Sequence, residues 1–207
     1  MTITSTQAHT YISVDVETAG PNPGSFSLLS IGACTIFPPQ ETFYVELKPV
    51  NERFLPEALA ITGFSMDKLQ LEGLPASEAM LRFATWLEKV TPPGSKPIFV
   101  ALNAPFDWSF INDYFIRTLG RNPFGHSALD MKALYMGLTG AAWSDTHVEK
   151  MAARYGLHIE LTHNALQDAL DQAVALAGGI GLRPDGWPGH PGALGPADGV
   201  WRVLGNA

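Results

Sequence analysis

Hydrophobic and polar residues alternate through residues 11–18 (YISVDVET). Ile12, Val14 and Val16 point to one side of an extended chain, and the polar residues between them point to the other. This alternation predicts a β-strand with one face buried in the core. The polar face of the same strand carries two acidic residues.

Apolar runs and helical patterns follow one another through the rest of the chain. The run 97–102 (PIFVAL) is continuously apolar, which is typical of a strand buried on both faces. The helical spacing is clearest over 75–90, which a Pro-Pro-Gly break ends. Further strands are predicted over 28–37, 42–48 and 128–130, and further helices over 56–60, 106–119, 131–138, 145–155 and 164–178. This order predicts an α/β fold in which the first three strands form an antiparallel meander within a mixed sheet flanked by helices.

The composition changes near the C-terminus. Ten of the 25 residues in 183–207 are Gly or Pro, and no periodicity of apolar residues remains there. We therefore predict a folded domain over 1–182 and a Gly/Pro-rich C-terminal tail over 183–207.

Composition and charge narrow the classes of function. The net charge of −7 excludes a broad basic surface for duplex DNA, although an acidic protein can still bind nucleic acid through metals, amides and stacking. Cys34 is the single cysteine, so the chain has no internal disulfide and no Cys-x-x-Cys metal site, which fits a reducing, cytoplasmic location. No apolar run approaches the roughly 20 residues that span a membrane, so no membrane partner is expected.

Acidic residues lie at two places in the predicted fold: on the first strand and at the start of a helix. Asp15 and Glu17 lie two residues apart on one face of the first strand, where their mutual repulsion would raise their pKa values and a divalent cation would relieve it. A solvated edge strand is the alternative for this pair alone. Asp107 follows the apolar strand 97–102 at the start of a helix, where it is either a ligand residue or a first-turn residue favoured by the helix dipole.

His163 and Asp168 form the third group of polar residues. A spacing of five residues turns two helical side chains about 140° apart, so His163 is predicted on the loop before the last helix and Asp168 within its first turns. A histidine with a pKa near 6.5 is suited to accept a proton from water. An exposed pre-helical residue is the alternative for His163 alone.

Taken together, these segments resemble the DEDDh-type 3′–5′ exonucleases, which include ribonuclease T and the proofreading subunits of replicative polymerases. The resemblance runs from about residue 11 to 177 and is carried by VDVET (14–18), NAPFDWSF (103–110) and HNALQDA (163–169), with ITGF (61–64) as a further matching segment. It implies a ribonuclease H-like fold: a five-stranded mixed sheet with its first three strands antiparallel, flanked by helices. It also makes 1–182 the exonuclease domain.

The resemblance further implies a mechanism. Two divalent metal ions, Mg²⁺ or Mn²⁺, would be held by Asp15, Glu17, Asp107 and Asp168, with His163 as general base. The expected reaction releases nucleoside 5′-monophosphates from the 3′ ends of single-stranded DNA or RNA, and the resemblance also allows a homodimer. The alternatives are a binding module of the same fold without catalysis and a hydrolase of a small phosphoester such as a dinucleotide.

Aromatic and polar residues near these motifs are candidates for binding the substrate. Base stacking is expected because a single strand exposes the faces of its bases. The candidates are Thr18, Phe26, Phe64, Asn103, Phe106 and Trp108. Each aromatic residue has packing in the core as its alternative, and Asn103 has a role in the turn.

Overall fold

A computed structural model describes residues 9–159 and 162–180 of the chain, with side chains up to residue 177. Five strands form one sheet in the order β3-β2-β1-β4-β5. They span His9–Thr18 (β1), Leu28–Thr35 (β2), Thr42–Glu46 (β3), Lys96–Ala101 (β4) and Ala128–Asp130 (β5). β1, β2 and β3 pair antiparallel, whereas β4 and β5 continue the sheet in parallel. The predicted α/β fold with a mixed five-stranded sheet is confirmed; the predicted tail, 183–207, and its boundary lie outside the described residues.

Within the residues that the structure describes, seven α-helices accompany the sheet. They span Pro56–Thr62 (α1), Met66–Glu72 (α2), Ala76–Val90 (α3), Ala104–Leu119 (α4), Met131–Thr139 (α5), Val148–Arg154 (α6) and Ala165–Val174 (α7). A 3-10 turn, Trp143–Asp145, precedes α6, and a π-helical segment, Ala175–Ile180, continues α7. None of the helices that the described residues form is long and apolar enough to cross a membrane.

Helix α2 is absent from the sequence-based prediction. It is seven residues long and buries only Leu69, so it has no apolar stripe for a periodicity to reveal. Its local signal is a polar cap, in which the backbone N–H of Lys68 donates to the Ser65 side chain. A cap without a stripe is common in turns, which is why the pattern of apolar residues misses this helix.

The two faces of the sheet bury different sets of side chains. Ile12, Val14 and Val16 pack into the larger core, together with residues of α3 and α4. The opposite face carries Ser13, Asp15 and Glu17 and lies beneath α7. β1 is the middle strand of five, so the solvated edge strand considered for the acidic pair is wrong.

Gly32 allows α7 to approach the acidic face closely. It pairs with Asp15 across β1 and β2. A Cβ atom on Gly32 would lie 2.1 Å from the backbone carbonyl carbon of Ala165, well inside contact distance. The first turn of α7 therefore rests directly on the strand next to Asp15, which brings Asp168 over the sheet.

Replacing Gly32 by alanine tests this close approach. We expect Gly32→Ala to lower the free energy of unfolding by about 1–3 kcal/mol, because helix backbone and strand must separate to admit the methyl group. Gly137→Ala is the matched control. Its Cβ would meet nothing within 4 Å, and alanine inside α5 should stabilise by about 0.5–1 kcal/mol. Urea unfolding of both variants measures the difference, and equal stabilities would contradict the packing described here.

Candidate active site

β1 brings the first two acidic residues to the surface covered by α7. Asp15 and Glu17 lie opposite Gly32 and Ser30 of β2, and both point to the α7 side of the sheet. Glu17 is 8% exposed and Asp15 is partly buried. Two carboxylates are thus fixed side by side on a central strand, where solvent screens their repulsion poorly.

The first turn of α4 supplies the third carboxylate. Asp107 is 6% exposed, and its Oδ1 accepts a hydrogen bond of 3.1 Å from the backbone N–H of Val16. Val16 lies between Asp15 and Glu17 in the strand, so this bond ties α4 to the acidic pair across 91 positions of sequence. Asp107 is therefore held against the same stretch of β1.

Asp168 accepts three hydrogen bonds from the loop before α7. Its Oδ1 accepts hydrogen bonds from the backbone N–H and the hydroxyl of Thr162, at 2.8 and 2.9 Å. Its Oδ2 accepts a third bond, of 3.0 Å, from the backbone N–H of His163. His163 has a left-handed backbone conformation with φ of 55°, which is uncommon for a residue with a side chain. The three bonds to Asp168 hold the loop in this shape.

The shape of that loop brings His163 to the acidic residues. Potential ligand atoms of Glu17, His163 and Asp168 all lie within 4.8 Å of one another. His163 is exposed, whereas both carboxylates are buried. As predicted from its spacing, His163 lies on the loop and Asp168 on the helix.

Burial raises the pKa values of Glu17, Asp107 and Asp15, and repulsion from neighbouring carboxylates adds to the effect. Burial and the neighbouring Asp168 and Asp107 raise the pKa of Glu17 to about 8. Burial raises the pKa of Asp107 to about 7, and burial together with Asp107 raises that of Asp15 well above its ordinary value. The ion pairs among the described residues involve none of these acids. Clustered oxygen donors without a positive partner have the chemistry of a divalent-cation site.

Gln172 is a residue of the site that sequence reasoning missed. It is 1% exposed, and its Nε2 donates a hydrogen bond of 2.8 Å to Oδ1 of Asp15. Its Oε1 accepts a bond of 3.0 Å from the backbone N–H of Leu102 at the end of β4. Both ends of the amide are used, so its orientation is fixed with the N–H group towards Asp15. The available signal was its position four residues after Asp168, on the same face of a helix.

Asp130 is a second missed residue. Its Oδ1 caps α5 by accepting from the N–H of Ala133 at 2.7 Å, and its Oδ2 accepts from the N–H of Ala104 at 2.8 Å. Ala104 begins the helix that carries Asp107. The sequence predicts Asp130 only as the last residue of the strand 128–130, because its bond to Ala104 depends on a contact between distant elements.

Two of the aromatic candidates lie together at the end of β1. Phe26 and Phe64 pack in a small cluster with Ala19 and Leu29. Thr18 is buried, and its hydroxyl donates to the backbone carbonyl of Gly20 at 2.9 Å. The structure therefore places these three candidates around the C-terminal end of β1, with the threonine hydroxyl engaged by the protein itself.

The candidates on α4 have different surroundings. Trp108 packs against Phe99 and Phe124 with ring centroids 5.2 and 6.5 Å apart, which favours its role in the core. Phe106 is half-buried beside Phe110, with ring centroids 5.5 Å apart. Asn103 is exposed at the N-cap of α4 and makes no capping hydrogen bond.

Comparisons with known proteins agree with this arrangement. The RNase_T family, described as exonuclease, matches residues 12–176. The chain is 45% identical over 168 residues to the 3′-5′ DNA exonuclease Cap18 of Escherichia coli. The match covers 81% of this chain and 90% of that protein. It is 32% identical over 190 residues to ribonuclease T of Escherichia coli strain K12, covering 84% of this chain and 87% of the relative.

Solved structures show the same fold. The nuclease domain of 3′hExo, a DEDDh family member bound to rAMP, superposes with a TM-score of 0.67 at 14% identity. The superposition covers 84% of this chain and 92% of that domain. The expected ribonuclease H-like architecture, with its first three strands antiparallel, is confirmed.

Gln172 offers a test of how the site is held. We expect Gln172→Ala to reduce nuclease activity about tenfold, because Asp15 loses the donor that orients it. Gln172→Glu should reduce activity further, since it sets another carboxylate against Asp15. Titrating Mg²⁺ in a cleavage assay should show a higher half-saturating concentration for both variants, with unfolding temperatures as the control for stability. An unaltered Mg²⁺ dependence in both would contradict the positioning role.

Proposed function

The chain belongs to the RNase_T exonuclease family, and on that premise we propose that it removes nucleotides one at a time from the 3′ end of single-stranded DNA, releasing nucleoside 5′-monophosphates. The observation that carries the proposal is that ligand atoms of Glu17, His163 and Asp168 lie within 4.8 Å of one another. Asp15 interacts electrostatically with Glu17, Asp107 and Asp168, and Asp107 is bonded to the strand between Asp15 and Glu17. These residues come from a strand, a helix start and a late helix, so only the folded chain assembles them. DNA is proposed as the first polymer to test because the 45% identical relative is named a DNA exonuclease.

The four carboxylates fit a pair of divalent cations, Mg²⁺ or Mn²⁺. The raised pKa values of Asp15, Glu17 and Asp107 report an excess of buried negative charge, and oxygen donors of this kind suit such ions. When bound, two such ions supply a coordinated water of lowered pKa and offset the charge of the phosphodiester. Asp15, Glu17, Asp107 and Asp168 would hold the ions, and Gln172 and Val16 would orient two of these side chains through the bonds described above.

His163 is proposed as the general base. Its exposed ring lies at the edge of the acidic cluster, within 4.8 Å of ligand atoms of Glu17 and Asp168. An imidazole there accepts the proton of the attacking water, while the bond from its backbone N–H to Asp168 keeps the loop in place. Because the ring reaches the site from an exposed loop, it can return that proton to solvent after each turnover.

The single strand is proposed to enter beside the aromatic residues near Glu17. Phe26 and Phe64 lie in one cluster at the end of β1, and Phe106 lies on α4 next to Asp107. Their rings suit stacking on the terminal bases. Thr18 and Asn103 are proposed to contact the terminal sugar and phosphate, whereas Trp108 supports α4 from the core.

Cleavage of a 5′-labelled strand tests the function. With Mg²⁺ or Mn²⁺ we expect a descending ladder on single-stranded DNA, faster than on RNA of the same sequence, and no cleavage in EDTA. Asp15→Ala should abolish the ladder, and His163→Ala should slow it about 10²–10⁴-fold because proton transfer loses its acceptor. Arg82→Ala, which removes an exposed cation on the far side of the sheet, is the matched control.

Four outcomes would contradict the proposal or one of its parts. A ladder from the Asp15→Ala variant would remove the carboxylate from the reaction. Cleavage of dinucleotides alone would favour a small-phosphoester hydrolase, and binding of the strand without cleavage would favour a binding module. An equal loss of metal affinity in His163→Ala would make His163 a ligand rather than the base.

A further inference from the structure

A groove between α5 and α6 lies outside the acidic site. It has a volume of about 490 Å³ and is lined mainly by polar residues of these helices and of the loop that joins them. Its charged lining residues are Asp145, Lys150 and Arg154. Lys132 and Trp143 stand beside it on α5 and on the 3-10 turn. We call the surface that these lining residues form with Lys132 and Trp143 the α5–α6 groove.

Two of the three cations of this groove, Lys132 and Arg154, are arranged unlike most others in the structure. Six described Lys or Arg side chains form ion pairs with carboxylates, mostly on exposed surfaces. Lys132 and Arg154 form none among the described residues; each lies over an aromatic ring instead. The Lys132 Nζ is 5.3 Å from the centroid of Trp143, and the Arg154 Cζ is 5.9 Å from that of Tyr135. A ring orients a cation without neutralising it, so both charges remain for an anion.

Trp143 presents an aromatic surface beside these charges. Its side chain is 61% exposed, which is unusual for the largest apolar residue. The turn that carries it is braced by Lys150, whose Nζ donates to the Ser144 carbonyl and to Asp145 Oδ1, each at 2.9 Å. A fixed, exposed indole next to unpaired cations is the combination that binds single-stranded nucleic acid, through stacking and phosphate contacts.

The start of α5 lies next to the acidic site. α5 follows directly after Asp130, whose carboxylate accepts a hydrogen bond of 2.8 Å from the backbone N–H of Ala104, the first residue of the helix that carries Asp107. Lys132 is only two residues further along. A strand whose 3′ end lies among the carboxylates can therefore continue past Lys132 into the groove.

We propose that the α5–α6 groove binds the sugar–phosphate backbone and bases of the single strand on the 5′ side of the terminal nucleotides. In this proposal, Trp143 stacks on a base, and Lys132 and Arg154 contact phosphates. The inference rests on the proposed function for the identity of its ligand. Local positive charges in the groove also explain how a chain with a net charge of −7 binds a polyanion.

Binding and cleavage of strands of two lengths test the groove. Anisotropy of fluorescein-labelled dT20 in EDTA should give a dissociation constant at least tenfold higher for the double variant Lys132→Ala/Arg154→Ala. The slope of log Kd against log salt should become shallower by about 1.4, since two phosphate contacts are lost. With Mg²⁺, the loss of kcat/KM on dT20 should exceed that on dT4 about tenfold. Trp143→Ala should weaken dT20 binding, and Trp143→Phe should restore most of it.

Arg82→Ala/Arg121→Ala is the control for the loss of two exposed positive charges away from the groove, and it should bind dT20 as the parent does. The proposal is overturned if the double variant matches this control, or if dT4 and dT20 are affected equally. It is also overturned if a 20-residue polyglutamate competes for the groove as well as dT20 does, because the site then recognises acidic protein segments. A parent that binds dT20 through the groove without cleaving it would refute the proposed function and leave the groove standing.

Discussion

Four carboxyl groups that lie close together, with no positive partner in the part of the chain that the structure describes, are the constraint on which the rest of this structure depends. Asp15 and Glu17 share a strand face by alternation alone, but Asp107 and Asp168 must be brought there against electrostatic repulsion. The fold meets this with hydrogen bonds from the residues around them: Val16 donates to Asp107, Thr162 and His163 donate to Asp168, and Gln172 donates to Asp15. Among the described residues, Glu17 has no such donor, and its pKa rises to about 8.

The same bonds determine the shape of the site. Val16 lies between the two acids of β1, so its bond to Asp107 sets α4 against their strand. The bonds to Asp168 hold His163 in a left-handed conformation, and this places the imidazole near Glu17. Gly32 completes the arrangement by letting the backbone of α7 rest on β2. Charge compensation and positioning are therefore carried out by the same few contacts, which is why the site occupies a central strand.

The fold and the acidic residues could be predicted from the sequence, because alternation and helix spacing are local properties. The face of Asp15, the helix start at Asp107 and the loop position of His163 all follow from such patterns. Gln172, Asp130 and Gly32 were missed because their roles depend on contacts with distant elements. Helix α2 was missed because it buries a single leucine.

Thermal unfolding against pH, with and without Mg²⁺, tests the central claim most directly. Burial and repulsion raise the folded-state pKa of Glu17 to about 8 and of Asp107 to about 7. Over the range from about pH 5 to about pH 9 the same carboxyl groups are already ionised in the unfolded chain, whereas in the folded protein they lose their protons only as pH rises. The free energy of unfolding of the cation-free protein should therefore fall as pH rises through this range. Mg²⁺ should raise the unfolding temperature more at pH 8 than at pH 5, and Glu17→Gln should reduce both effects. An Mg²⁺ effect that is absent, or equal at both pH values, would contradict a cation site built from these carboxylates.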